Sequence, residues 1–299
     1  MIARDSKRKR DIRILEVELA AARKLGRKLQ QLLWKDMARF DATGFEFVIA
    51  YVLFLRAERT FASIRILSRQ RVVDDAFALV RVMVEKVINA EYILLAGTDT
   101  ALDYVQYHAF REWRDFEELR KLSPEVAPNH TAEVLERLRN AHDRAKTKTL
   151  PNGSTQNRFG RGHDWIEIGL SKRAESIDEA IRKRFSMRAF RATRILYHSA
   201  YKTGAVYLHC MWASLARSLE YDQSDSAIEE GGKIDVSIGI RIKDRDPHVA
   251  VDALNTANLA ALAMILFLGK VFEKNEYLKW VDSFRGPYIR DLKIARSAS

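Results

Sequence analysis

The chain has 299 residues, 47% of them hydrophobic and 30% charged, with a formal net charge of +11. That balance supplies apolar material for a sizeable core in one or two domains and excludes a disordered chain. The single cysteine, Cys210, excludes an intramolecular disulfide and a cysteine-built zinc site, and with the polar start MIARDSKRKR it leads us to expect a reducing cytoplasm and no signal peptide.

The basic residues 1–10 are expected to form a solvated arm. From Asp11 to about Lys35, Leu15, Leu19, Ala22, Leu29, Leu32 and Leu33 recur at helical spacing, and Arg23, Lys24, Arg27 and Lys28 form a dense basic cluster on the same helix. Helices are predicted next from about Thr43 to Ser68 and from Arg71 to Ala96, the second stopped by Gly97. On this second helix Phe77, Val80, Met83, Val84, Val87, Ile88, Leu94 and Leu95 fill a wide apolar arc, while Asp74, Arg81, Glu85, Asn89 and Tyr92 form a narrow polar stripe. It should therefore bury more residues than any element except the last long helix.

Thr98 or Asp99 can cap an aromatic-rich helix that ends at Ser123-Pro124, and Thr131 can cap a charged outer helix to about Lys146. Residues 147–161, TKTLPNGSTQNRFGR, have loop composition; the lack of a Gly-Lys-Ser/Thr ending argues against a phosphate loop. Ser176 and Glu179 have capping-box spacing for a helix to Phe185, and a long helix is predicted from about Met187 to Leu219. Strict alternation of Ile234, Val236, Ile238, Ile240 and Ile242 predicts a short strand within 233–243, held in a ribbon or covered, because an open edge would be adhesive. Pro247 opens the last long helix, reaching about Glu273. Its apolar run Leu259–Gly269 falls short of the ~20 residues that span a bilayer, so it reads as a core helix and no membrane contact is expected. The expected fold class is all-α: one compact multi-helix bundle over residues 1–299, with a mobile loop near 147–161 and a strand or ribbon near 233–243.

Arg81 and Glu85 lie four apart and can meet on one helix face, with Asn89 one turn on. The 187–219 helix brings Arg191, Arg194, His198, Lys202, His209 and Trp212 to one side, with Tyr201 at its edge. Arg191 and His198, separated by six residues, resemble the spacing of HEPN-type ribonucleases, although Ala192 stands where a polar residue commonly follows the arginine. That resemblance implies metal-free attack on RNA by Arg191 and His198 at a homodimer interface. The texts LVRVMVEKVINAEYIL, DWIEIGLSKRAE and LYHSAYKTGAVYLHCMW together resemble the landmarks of the prokaryotic domain-of-unknown-function family 5677, over roughly Phe45 to Lys274. This resemblance points to Arg81, Glu85, Trp165, Tyr197, Tyr201 and His209, with Ala205 where a serine is usual.

The seven histidines include no His-Glu-x-x-His pattern, and Gly-x-Ser-x-Gly is absent; no metal and no cofactor are expected. The functional expectation is a cytoplasmic, defence-related or toxin-like protein acting on RNA or a related phosphodiester through Arg81, Glu85, Tyr201 and His209, with Arg191 and His198 as the alternative pair. The competing expectation is a non-enzymatic protein- or nucleic-acid-binding module in which the same cluster is a structural polar network.

Overall fold

A computed structural model describes residues 2–39, 44–123, 131–149, 155–157, 159, 166, 168–185, 191–201, 219–222, 239–242 and 247–297. Helix α1 (Ile2–Gln30) takes the basic start into its first turns and runs on through a π turn at Gln31–Asp36 and a 3-10 turn at Met37–Arg39. Helices α2 (Phe45–Gln70) and α3 (Val73–Ala96) are joined by only two residues, which forces them antiparallel along their length. The link is closed by Arg71 in the left-handed region at φ 59, with the N–H groups of Arg71 and Val72 donating to the carbonyls of Ser68 and Leu67. Gly97, at φ 94, ends α3 in a conformation that a side chain would strain, and α4 (Thr98–Leu122) leaves from there.

The α5 helix (Ala132–Lys146) is capped as expected, its Val134 N–H donating to the Thr131 hydroxyl, and packs on α4. Then come α6 (Leu170–Phe185) and the short α7 (Ala192–Leu196), which passes into a π turn at Tyr197–Tyr201. The chain closes with α8 (Pro247–Val271) and α9 (Asn275–Ser297). Among the described residues the structure is an all-α bundle with two small antiparallel ribbons.

Helices α1, α2, α3 and α9 all pack against α8, while α6 and the π turn pack against α3. As the apolar arc required, α3 buries eleven residues, more than the nine of α2 and fewer than the fifteen of α8. By length and composition α8 could cross a membrane, yet 72% of its most apolar window is buried inside the bundle. Gly269 lets α9 come close, because a Cβ there would meet the Leu278 side chain at 3.0 Å.

Three expectations change. The α6 helix begins at Leu170, not at Ser176, whose hydroxyl donates instead to the Lys172 carbonyl from inside the helix. The physical reason is the buried line Arg173, Ile177, Ile181, whose period carries the helix upstream of the local capping signal. Within 147–161, Thr147–Thr149 (β1) pairs with Thr155–Asn157 (β2), and Phe159 is buried against Tyr107 and Phe110. Of the expected 187–219 helix only residues 192–201 are described as helical, and Leu219 already belongs to β3 (Leu219–Asp222). That strand pairs with β4 (Gly239–Ile242), the described part of the 233–243 signal, placing Tyr221 opposite Ile240.

Candidate functional site

The polar stripe of α3 changes environment along its length. Asp74 and Glu85 are exposed, Arg81 and Tyr92 half-buried, and Asn89 buried. Each level meets a different neighbour, because α2, α4, α6 and the π turn all lie against α3.

At the Arg81 level the guanidinium Nη2 donates to the Tyr201 hydroxyl at 3.0 Å. The same guanidinium carbon sits 4.6 Å from the centre of the Tyr201 ring, so the cation is held by the hydroxyl and by the π face together. Tyr201 in turn stacks on Tyr197, centroids 5.3 Å apart and planes 19° from parallel. These tyrosines lie four positions apart, and the widened π turn sets their rings above one another beside α3. The resulting column of one arginine and two tyrosines joins positions 120 residues apart.

One turn along, Glu85 faces outward next to a basic neighbourhood. Burial lowers the Lys86 ammonium below its ordinary range, the exposed Arg56 charge lowers it further, and Glu85 opposes both. Lys86 donates to Thr60 of α2 at 2.9 Å. On α4, burial followed by the Arg56 charge also pushes His108 down, and burial raises the Tyr104 hydroxyl, with Arg56, Glu85 and Arg173 all acting on it. The Arg56 charge thus acts on Lys86, His108 and Tyr104, groups on α3 and α4 that flank Glu85.

Below this surface lies a network of which the sequence pattern marks only Asn89. Arg173 of α6 donates to the Asn89 side-chain oxygen at 2.5 Å. The Thr193 hydroxyl donates to Glu91, and the Asp178 carboxylate accepts the backbone N–H groups of Thr193 and Arg194 at 3.0 and 3.1 Å. Asp178 therefore performs the N-cap role for α7 that the local residue, Arg191, performs with no side-chain bond. All five of Asn89, Glu91, Arg173, Asp178 and Thr193 are buried. Burial, reinforced by the Asp178 charge, raises the Glu91 carboxyl well above the usual carboxylate range, and burial raises Asp178 too. A signal was present: Glu91 continues the buried line Val80, Val84, Val87, and Arg173 and Asp178 flank Ile177 on the inner face of α6.

Of the candidate residues, the structure brings Arg81 to Tyr201 and places Glu85 one turn from Arg81. Arg191 and His198 are both exposed; the His198 ring lies edge-on to Tyr197 at 5.2 Å, at the surface and outside the core. Trp165, Ala205 and His209 lie outside the described residues. The described residues thus join the Arg81 guanidinium to the Tyr201 hydroxyl and ring, with the exposed Glu85 carboxylate one turn away.

No match is found among curated proteins or solved structures. One family model matches residues 47–227, more than half of the 299-residue chain, and that interval holds the entire Arg81, Tyr197, Tyr201 column together with Glu85 and the buried network beneath it. The chain belongs to the family of unknown function DUF5677.

Proposed function

We propose that the protein binds RNA, or a related phosphodiester, at the polar face of α3 that carries Arg81 and Glu85 beside the π turn, and acts on it there. The contact between Arg81 and Tyr201 carries this reading, because a guanidinium oriented by a tyrosine ring and hydroxyl is a group that donates to phosphate oxygens. The exposed Arg56 adds positive charge near Lys86, the residue that follows Glu85. Glu85 is the carboxylate placed to take a proton, and His209 is the base that the family resemblance would add. A role in the cytoplasm as a defence-related or toxin-like protein belongs to the same proposal.

The test is RNA binding and cleavage at low salt by the whole chain and by Arg81→Ala, Glu85→Gln, Tyr201→Phe and His209→Ala, with circular dichroism as the folding control. Arg81→Ala should weaken binding at least tenfold, and Glu85→Gln or His209→Ala should remove cleavage while binding persists. If the double variant Arg191→Ala, His198→Ala alone abolishes cleavage, the reaction belongs to the alternative pair. Expression of the wild type should slow bacterial growth, and Arg81→Ala should relieve it.

A second reading has its own support in the buried Asn89, Glu91, Arg173, Asp178 and Thr193 network, which ties α3, α6 and α7 together. In that reading the Arg81 column extends a structural network and the protein is a non-enzymatic binding module. RNA neither bound nor cleaved by the folded wild type would decide for it.

A further inference from the structure

A groove of about 930 Å³ runs between α1 and α9, outside the segment that defines the family. Its two walls are antiparallel: Lys28 lies over the Tyr277 and Trp280 rings, while Glu18, earlier on α1, meets Tyr288, later on α9. One wall runs from Arg13 to Gln31, and the facing α9 wall, Trp280 to Ala295, spans fifteen helical rises, about 22 Å. That is the length of a four-turn helix.

The floor is apolar and set in place. Trp280, Phe284 and Tyr288 stack in sequence, with centroids 5.0 and 5.4 Å apart, and Ile294 extends the surface at 60% exposure. Val17 and Ala20 face them from α1. The floor is anchored from beneath by Glu18, whose carboxylate accepts from the Tyr288 hydroxyl at 2.8 Å, from Asn255 at 2.9 Å and from Asn258 at 2.7 Å. Such bonds fix α1 and α9 to α8, so the groove keeps its shape without an occupant. Along the rim stand Arg13, Lys24, Arg27 and Lys28 against only two carboxylates, Glu16 and Asp291.

We infer that this groove docks one amphipathic helix of about fifteen residues from a partner protein, with apolar side chains at i, i+3, i+4 and i+7 on the floor and acidic side chains toward the α1 rim. The length of the groove, its fixed apolar floor and its excess of positive charge select that occupant. Single-stranded nucleic acid is disfavoured because the three rings spend their faces on one another, and a second copy of this chain would bring a like-charged rim against this one.

The probe is a labelled fifteen-residue helical peptide with leucines at those positions and glutamates on its flanks, titrated against the full chain by fluorescence anisotropy. A scrambled peptide of the same composition, a lysine-flanked analogue and a labelled twelve-nucleotide RNA serve as comparisons. The patterned acidic peptide should bind at least tenfold more tightly than the two other peptides. Ile294→Glu and the double variant Lys24→Glu, Arg27→Glu change exposed positions and should each weaken it at least tenfold, whereas Arg81→Ala should leave it unchanged. Equal binding of all peptides, no binding, competition by the RNA, or a dimer in sedimentation that Ile294→Glu dissolves would each overturn the inference.

Discussion

Glu91 is a buried carboxylate in an environment that opposes its charge. Its carboxyl titrates well above the ordinary range in the folded chain because burial disfavours the anion, and Asp178 adds repulsion. Below the ordinary carboxylate pKa both folded and unfolded chains hold the proton, and Glu91 carries no penalty. As pH rises past that point the unfolded chain releases its proton and the folded chain retains it, so stability falls with rising pH. Glu91→Gln keeps an acceptor for Thr193 and removes the titration; its melting temperature should exceed that of the wild type at pH 7 and converge on it near pH 4. A constant difference across that range would remove Glu91 as the cause. At the half-buried column, Arg81→Ala loses a charged hydrogen bond and a cation–π contact, a cost of about 1–3 kcal/mol, whereas Tyr201→Phe keeps the ring and should cost about 0.5–1.5 kcal/mol. A double-mutant cycle should return coupling of about 0.5–1.5 kcal/mol. Additive denaturation midpoints would mean that the two side chains do not hold each other in solution.

Helix α7 is five residues long and too short to persist alone, so its first turn depends on the Asp178 carboxylate brought from α6. Asp178→Ala removes a cap and strands two backbone N–H groups, and should cost about 1–3 kcal/mol. Faster amide exchange at Thr193 and Arg194, with α2 unaffected, is the expected signature; unchanged protection there would show that α7 is held by packing alone. The same cap explains what could and could not be read beforehand. The apolar arc of α3, the Gly97 stop and the Pro247 start are local patterns, and each is found where the sequence placed it. The capping-box spacing at Ser176 was equally local and lost to a longer-range fact, the inward line of Arg173, Ile177 and Ile181. Bonds such as Arg173 to Asn89, 84 residues apart, leave no spacing rule behind, and Arg81 could be matched to Tyr201 only because a family resemblance joined their two segments. Glu91 lies on the apolar arc of α3, where helical spacing alone does not separate a buried carboxylate from one at the edge of the arc.

At the scale of the whole molecule, the family segment and the folding unit do not coincide. Residues 47–227 contain the candidate site, but α8, which buries more residues than any other described helix, lies beyond them, as do α1 and α9. Helix α8 covers faces of α2 and α3: its Phe267 ring lies 6.3 Å from Phe54, and Phe272 stands edge-on to Phe47 at 5.7 Å. Removing that cover exposes large side chains worth about 1.5–3 kcal/mol each, so four or five of them equal the ~5–15 kcal/mol that holds a typical domain together. A fragment of residues 47–227 should therefore keep much of its helical circular dichroism but lose a cooperative thermal transition and bind the dye ANS, while the full chain melts cooperatively and does not. The Arg81 and Tyr201 column should fail with it, because the π turn packs against α8 as well as α3. RNA binding or cleavage retained by such a fragment, or a sharp melting transition in it, would show that the family segment stands on its own and that α8 serves the α1–α9 groove instead of the site.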